Sequence, residues 1–181
     1  MTQLQNVRVA RLDAGWMRDH VREALEIYGE AMSYPPSVVE ARTGHAAAHT
    51  TRMGFAAVGA FDPEGALTGF GYGYTTRPGQ WWHDQVTHAL GRSGSRRWLR
   101  DSFELCEFHV RPEHQGLGIG RTLLRTLLAD VTHRQVVLST PDNDTRAFRL
   151  YRSEGFVDLL RGHYFPGDAR PFAILGLALT R

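Results

Sequence analysis

The sequence predicts a mixed α/β fold in a single domain, because seven short strand-like segments interleave with stretches of helical spacing rather than separating into blocks. With 181 residues, 42% of them apolar, the chain can bury one full core. No internal repeat, low-complexity tract or linker divides it.

The elements follow in order. Residues 7–12 alternate weakly and read as a first strand; residues 16–31 place Trp16, Val21, Leu25 and Tyr28 at helical spacing. Tyr34-Pro35-Pro36-Ser37 breaks that helix, and Ser37 is suited to start another that runs through Val38, Val39, Ala41 and Ala46 to about residue 50. Residues 55–61 and 67–74 form a hairpin about the Asp62-Pro63-Glu64-Gly65 turn. Gly69, Gly71 and Gly73 leave one face of its second arm bare, to admit either a bulky neighbour or a ligand. Residues 77–101 read as an inserted region of one or two short helices, carrying Trp81, Trp82, Val86, Leu90, Trp98 and Leu99 and interrupted at 91–95. A strong strand at 103–110 ends at Arg111-Pro112, and a helix begins near Leu117 with Leu123, Leu124, Leu127, Leu128 and Val131 as its apolar stripe. A strand at 135–140, a helix at 145–153 stopped by Gly155, and closing strands at 156–160 and 172–179 complete the chain.

Composition excludes several chemistries. All 21 basic residues are arginine, so a lysine phosphate loop, a Schiff base and a lysine nucleophile are impossible. Cys106 is the only cysteine, which rules out an internal disulfide or a multi-cysteine zinc site. The net charge of +2 is too balanced for nucleic-acid binding by bulk charge; Arg96, Arg97 and Arg100 read as a solvated helix face. Residues 1–10 are polar and no apolar run approaches the ~18 residues of a membrane span, so a cytoplasmic protein without a membrane partner is expected. His45 and His49 stand at i, i+4, but without a third ligand they read as solvated helix positions, and no metal is expected.

The most informative segment is Val110-Arg111-Pro112-Glu113-His114-Gln115-Gly116-Leu117-Gly118-Ile119-Gly120-Arg121, where a strand passes into a helix through three glycines. A helix start offers unpaired N–H groups and partial positive charge, and glycines let an anionic oxygen reach them. A phosphate or pyrophosphate is the natural ligand, and Arg121 can add a fixed cation. A purely structural turn is the competing reading.

These residues resemble the GNAT superfamily of acyl-CoA-dependent N-acetyltransferases. Gln115, Gly118 and Gly120 match its pyrophosphate motif, after a strand ending in Val110-Arg111-Pro112. Asn143-Asp144-Thr145-Arg146-Ala147-Phe148-Arg149-Leu150-Tyr151, followed by Glu154-Gly155-Phe156, is similar to a second family segment. The likeness is clear over about residues 103–160 and elsewhere concerns element order only. It implies a mixed, mostly antiparallel central sheet of about seven strands, helices on both faces, and two parallel central strands that splay apart around the pantetheine of acetyl-CoA. It further implies that the backbone of Phe108, His109 and Val110 meets the acetyl group and pantetheine. Gln115, Gly116, Leu117, Gly118, Ile119, Gly120 and Arg121 would hold the pyrophosphate. Asp144, where the family often has Asn, or Asn143 beside it, would contact pantetheine. Tyr151 would protonate or hydrogen-bond the departing thiolate, its alternative being a helix aromatic packed on the sheet.

Acetyl transfer needs a neutral amine, hence a base. Glu104, eleven residues before Gln115, fits the position where several family members hold one, with Glu107 second. Their odd separation puts them on opposite faces of a regular strand, and either is equally open to being a paired, non-catalytic carboxylate. A base that other members carry on the next strand is missing, since Ser139 and Thr140 stand there. Cys106 reads as an inert buried thiol; His109 and His114 flank the loop as relays or as packing. For the acceptor, the resemblance points to Tyr28, Tyr34, Trp81, Trp82 and His83, with Met32, Asp84, Tyr164 and Phe165 nearby, an aromatic set suited to a flat or cationic amine. Anchoring of the insertion is the other role open to Trp81 and Trp82.

The expected function is therefore acetyl transfer from acetyl-CoA to a primary amine of a small molecule or peptide, by direct attack in a ternary complex. A homodimer is compatible with the resemblance. The alternative is a non-catalytic acyl-CoA-binding regulatory module, motivated by the missing downstream carboxylate and by Asp144.

Overall fold

A computed structural model describes residues 7–180. Residues 1–6, which carry part of the expectation of a leaderless start, lie outside the described residues, as does residue 181. In chain order the elements are β1 (Arg8–Leu12), α1 (Ala14–Asp19), α2 (Val21–Met32), α3 (Pro36–His49), β2 (Ala56–Phe61), β3 (Leu67–Thr75), α4 (Trp81–Trp98), β4 (Ser102–Val110), α5 (Ile119–Leu128), β5 (Gln135–Pro141), α6 (Arg146–Ser153), β6 (Val157–His163) and β7 (Phe172–Ala178). Among the described residues, seven strands, mostly antiparallel with one parallel pair, and six α-helices give the mixed class expected. Two compact units divide the contacts of the described residues: residues 7–74 with 106–131, and residues 75–105 with 132–180.

In the first unit, β1 pairs antiparallel with β2 from Arg8↔Phe61 to Leu12↔Ala57, and β2 pairs antiparallel with β3 from Ala56↔Gly73 to Ala60↔Gly69. The expected helix over 16–31 is instead two. Asp13 caps α1 by accepting from the Trp16 N–H at 2.7 Å, and the chain leaves helical geometry at His20. There the His20 ring stacks on Trp16 with centroids 3.9 Å apart, and its Nδ1 lies 2.8 Å from the Trp16 carbonyl. The His20 N–H donates to that same carbonyl at 3.0 Å, so ring and backbone share it at the last helical bond of α1. The second expected helix starts at Pro36, where the missing proline N–H costs nothing, so Ser37 lies inside α3 rather than capping it. Leu25 and Ile27 of α2 and Ala46 of α3 pack on Phe70, Tyr72 and Tyr74 of β3 to make this unit's core.

The bare face of β3 is filled by protein. A Cβ on Gly71 would lie 2.6 Å from the Phe108 ring, and one on Gly69 would lie 3.2 Å from the His109 carbonyl, Val110 and Leu123. Of the two readings of these glycines, a bulky neighbour is the one realised at both positions. Leu123, Leu124 and Leu127 are the buried stripe of α5; that helix ends at Leu128, so Val131 is buried beyond it instead of extending the stripe.

In the second unit, the start of β4 runs parallel to β5 over three pairs, Ser102↔Gln135, Phe103↔Val136 and Glu104↔Val137. Antiparallel β5–β7 and β7–β6 pairings follow. Trp82, Val86, Leu99, Val137, Phe165 and Ile174 form a second core. The expected interruption at 91–95 shrinks to one residue: only Gly91 leaves helical geometry (φ 68°, ψ −178°), and α4 resumes at once. Among the described residues, no helix is long and apolar enough to cross a membrane.

Gly71→Ala is expected to cost about 1–3 kcal/mol through overpacking against Phe108, seen as a lower denaturant midpoint at unchanged m-value.

Candidate active site

The glycine loop lies in the first unit. After β4, a 3₁₀ turn at Pro112–His114 leads to Gln115, whose side-chain amide donates to the Val110 carbonyl at 2.9 Å and so ties the loop to the strand end. Gly116 and Gly118 take φ of 78° and 83°, the left-handed region where a Cβ costs roughly 1–2 kcal/mol. The helix expected near Leu117 consequently starts two residues later, at Ile119. Gly118 is its N-cap and provides no capping side chain, and the first turn holds no acid. The leading N–H groups of α5 thus keep both their hydrogen-bonding capacity and their positive end of the helix dipole for an anion. Gly116 and Gly118 also remove the side chains that would stand between those amides and a ligand oxygen. The chain here fits a pyrophosphate. Arg121 sits exposed in that first turn.

Beneath the strand lies a buried ionic cluster. Glu107, 4% exposed, accepts from Arg42 of α3 on Oε1 (Nε at 2.7 Å, Nη2 at 2.6 Å) and faces His109 Nε2 with Oε2 at 2.8 Å. Burial alone would push the carboxyl up, but the charge of Arg42 and the hydrogen bonds from His109 and Arg42 outweigh it and lower the pKa to about 2. Arg42 is raised in turn, chiefly by Glu107. A carboxylate held this firmly, with both oxygens engaged, is a poor acceptor of a substrate proton near neutrality. Of the two roles open to Glu107, the paired one is the role its geometry fits.

His49 contradicts the solvated reading of the His45/His49 pair. His45 is exposed, but His49 is buried, with Nδ1 3.0 Å from the Tyr72 hydroxyl and 3.6 Å from Cys106 Sγ. Burial first, then the charges of Arg52 and Arg42, lower its pKa to about 4. Burial pushes the Tyr72 phenol well up. Cys106 is half-buried rather than enclosed, with the Tyr74 hydroxyl 3.4 Å and Arg42 Nη2 3.9 Å from its sulfur.

Other expected residues divide between the units. Tyr28 and Tyr34 lie in the first, with ring centroids 5.2 Å apart, and Tyr28 meets the His109 ring at 5.2 Å. In the second, Trp82 is buried and its indole N–H donates to Ser139 Oγ at 3.1 Å, which is the anchoring role. His83 is buried beside Asp84, whereas Trp81 is 55% exposed against Phe165. Glu104 is buried at the last β4–β5 pair. Tyr151 is buried on α6, a helix capped by Thr145, with its ring 5.5 Å from Phe156. Asn143 and Asp144 are exposed, and the Asp144 carboxylate pairs with Arg149 at 2.7 Å. Among the described residues, no group of three or more His, Cys, Asp or Glu is arranged to hold a metal ion. A separate open cavity of about 360 Å³ in the first unit, lined by Arg8, Arg11, Trp16, His20, Glu23 and Phe61 among others, includes none of the expected site residues.

Arg42 escaped the sequence reading, although a signal existed. Val39, Arg42, Ala46 and His49 repeat at helical spacing, so Arg42 falls on the inward stripe of α3, where a cation needs a buried anion.

Three comparisons with known proteins agree. Residues 23–156 match the acetyltransferase (GNAT) family. The chain is 38% identical over 192 aligned positions to the GCN5-like protein acetyltransferase Rv2170 of Mycobacterium tuberculosis, covering 90% of this chain and 93% of that protein. Among solved structures it resembles yncA of Salmonella typhimurium with its cofactor acetyl-CoA (TM-score 0.67, 18% identity, 98% and 96% of the two chains). It also resembles the ribosomal-protein-S18-alanine N-acetyltransferase of Escherichia coli (TM-score 0.67, 17% identity, 97% and 95%).

The buried cluster makes stability depend on acid. The unfolded chain takes up a proton on His49 near its ordinary 6.5, while the folded chain resists until about 4, so stability is full above 6.5 and is lost as pH falls between those values. Glu107 adds a second loss from its ordinary 4.5 down to about 2. Unfolding free energies from urea titrations between pH 7 and 4 should fall, by up to about 3 kcal/mol from His49, and His49→Gln should flatten that part of the curve.

Proposed function

The chain belongs to the acetyltransferase (GNAT) family, and on that premise we propose that it transfers an acetyl group from acetyl-CoA to a peptidyl amine, a lysine ε-amine foremost, by direct attack in a ternary complex. The observation that carries the cofactor assignment is the uncapped start of α5 behind Gly116 and Gly118. The acceptor class is supported by the 38% identical relative, which is named a protein acetyltransferase. Tyr28 and Tyr34 add a paired aromatic surface that suits an alkylammonium group.

Bound acetyl-CoA supplies an activated thioester. The amides of residues 116–121 hold its pyrophosphate, with Arg121 as an added cation, and the backbone of Phe108, His109 and Val110 takes the acyl and pantetheine end. Asp144, paired with Arg149, or Asn143 beside it supplies the side-chain contact to pantetheine. The Tyr151 hydroxyl protonates the departing thiolate. Because the chain contains no lysine, it cannot acetylate an ε-amine of its own, and acetylated lysine in a reaction mixture comes from the acceptor.

Thiol release from acetyl-CoA across a panel of amines and lysine peptides is expected to be fastest with peptides; release with small amines only would overturn the acceptor class. Tyr151→Phe should lower kcat on the order of 100-fold with acetyl-CoA affinity nearly kept, and an unchanged kcat would remove Tyr151 from the reaction. Gly118→Val should weaken CoA binding by about 10- to 100-fold through lost charge-assisted bonds, measured by calorimetry on protein whose circular dichroism is unchanged.

A further inference from the structure

The acceptor amine must lose a proton, and the cluster beneath β4 is built to receive one at a defined atom. Ionised Glu107 can only accept hydrogen bonds, so the His109 Nε2 that faces Oε2 at 2.8 Å must donate. That fixes the tautomer: the proton sits on Nε2, and the lone pair of the neutral ring is on Nδ1. Arg42 in turn fixes the carboxylate through Oε1. The ring carrying that lone pair packs against Tyr28 at 5.2 Å and Phe70 at 5.7 Å, and Tyr28 continues to Tyr34. The imidazole therefore stands between a buried, charge-paired carboxylate and the aromatic pair assigned to the acceptor, on the same strand stretch whose backbone is assigned to the thioester.

We propose that His109 Nδ1 is the general base that takes the acceptor's proton, with Glu107 and Arg42 as its positioning residues. This deepens the acetyl-transfer reading and rests on it. The amine nitrogen bonds to the acetyl carbon while one of its protons passes to Nδ1, giving an imidazolium. The carbon–sulfur bond breaks, the thiolate takes the Tyr151 hydroxyl proton, and the imidazolium's proton returns through water to restore that hydroxyl. The ionisable groups about the ring are Glu107 on its own strand, Arg42 from α3 behind that carboxylate, and Tyr28 from α2. Beyond them lie Cys106, which Arg42 approaches, then His49 and Tyr72, linked on from its sulfur, and the Arg111–Glu30 pair at the strand end. Glu107 does not serve as the base itself, because both of its oxygens are occupied and it stays ionised.

The test compares kcat/KM against pH for the wild type, His109→Asn, His109→Ala and Glu107→Gln, together with a heteronuclear NMR titration of the His109 ring. The wild type should lose activity in acid as one proton is taken up, and NMR should find the neutral ring protonated on Nε2. His109→Asn should lower kcat on the order of 100-fold or more, with acetyl-CoA affinity kept because its backbone contact survives, and should abolish the acid limb. Added imidazole should restore part of the activity of His109→Ala. Glu107→Gln should lower kcat with acetyl-CoA affinity kept, and NMR should find the neutral ring divided between its two tautomers, since the ring loses the ionised acceptor that fixes its proton on Nε2. An acid limb that persists in His109→Asn, a ring protonated on Nδ1, or a limb that only Glu104→Gln removes would overturn the proposal while leaving acetyl transfer intact. No thiol release by the wild type with any amine would overturn both.

Discussion

One buried carboxylate sets the terms for the first unit. Glu107 is almost wholly removed from water, and an ion in that position persists only if it is paired and its lone pairs are used. Arg42 from α3 and His109 from the same strand satisfy both oxygens. The pair therefore fastens α3 to β4 by a bond whose loss would leave a charge stranded in the interior. In doing so it also decides which nitrogen of His109 holds a proton. Packing and proton chemistry share a single constraint here, and a chain of contacts runs from the same guanidinium through Cys106 and His49 to Tyr72.

Strand β4 joins that cluster to the phosphate loop. Its first residues pair with β5 for three positions and its last lie over the glycines of β3, where a Cβ on Gly71 would stand 2.6 Å from the Phe108 ring and one on Gly69 3.2 Å from the His109 carbonyl and Val110. Gln115 then ties the turn to the Val110 carbonyl, and Gly118 turns the chain into α5. Small residues on β3 thus fix where residues 108–110 of β4 lie, and left-handed glycines fix where the helix amides begin. Phosphate is held without any ε-amine, which reconciles an anionic cofactor with a chain that contains no lysine.

Much of this was legible in the sequence because it is local. Period-two strands, the apolar stripe of α5 and the spacing of Gln115, Gly118 and Gly120 depend on near neighbours in the chain, and they located the elements to within a few residues. What escaped depends on partners far away. The helical stretch breaks at His20, where the ring stacks on Trp16, an outcome that helical spacing does not encode. His49 reads as a solvated position until Tyr72, 23 residues on, supplies its hydrogen bond. Arg42 and Glu107 stand 65 residues apart, and neither is intelligible without the other. The ambiguity between Glu104 and Glu107 has the same origin: alternation along a strand separates their faces, but only the pairing partners tell a structural carboxylate from one open to chemistry.

The central claim is that acetyl passes directly from the thioester to a peptidyl amine. Rapid-quench mass spectrometry of the protein mixed with acetyl-CoA tests it most directly, first alone and then with a lysine peptide. The account predicts no acetyl group on the protein at any time and acetyl on the peptide's ε-amine only when all three components are present. An acetylated protein that forms without peptide and then passes its acetyl group on, with Cys106 as the obvious carrier, would contradict it.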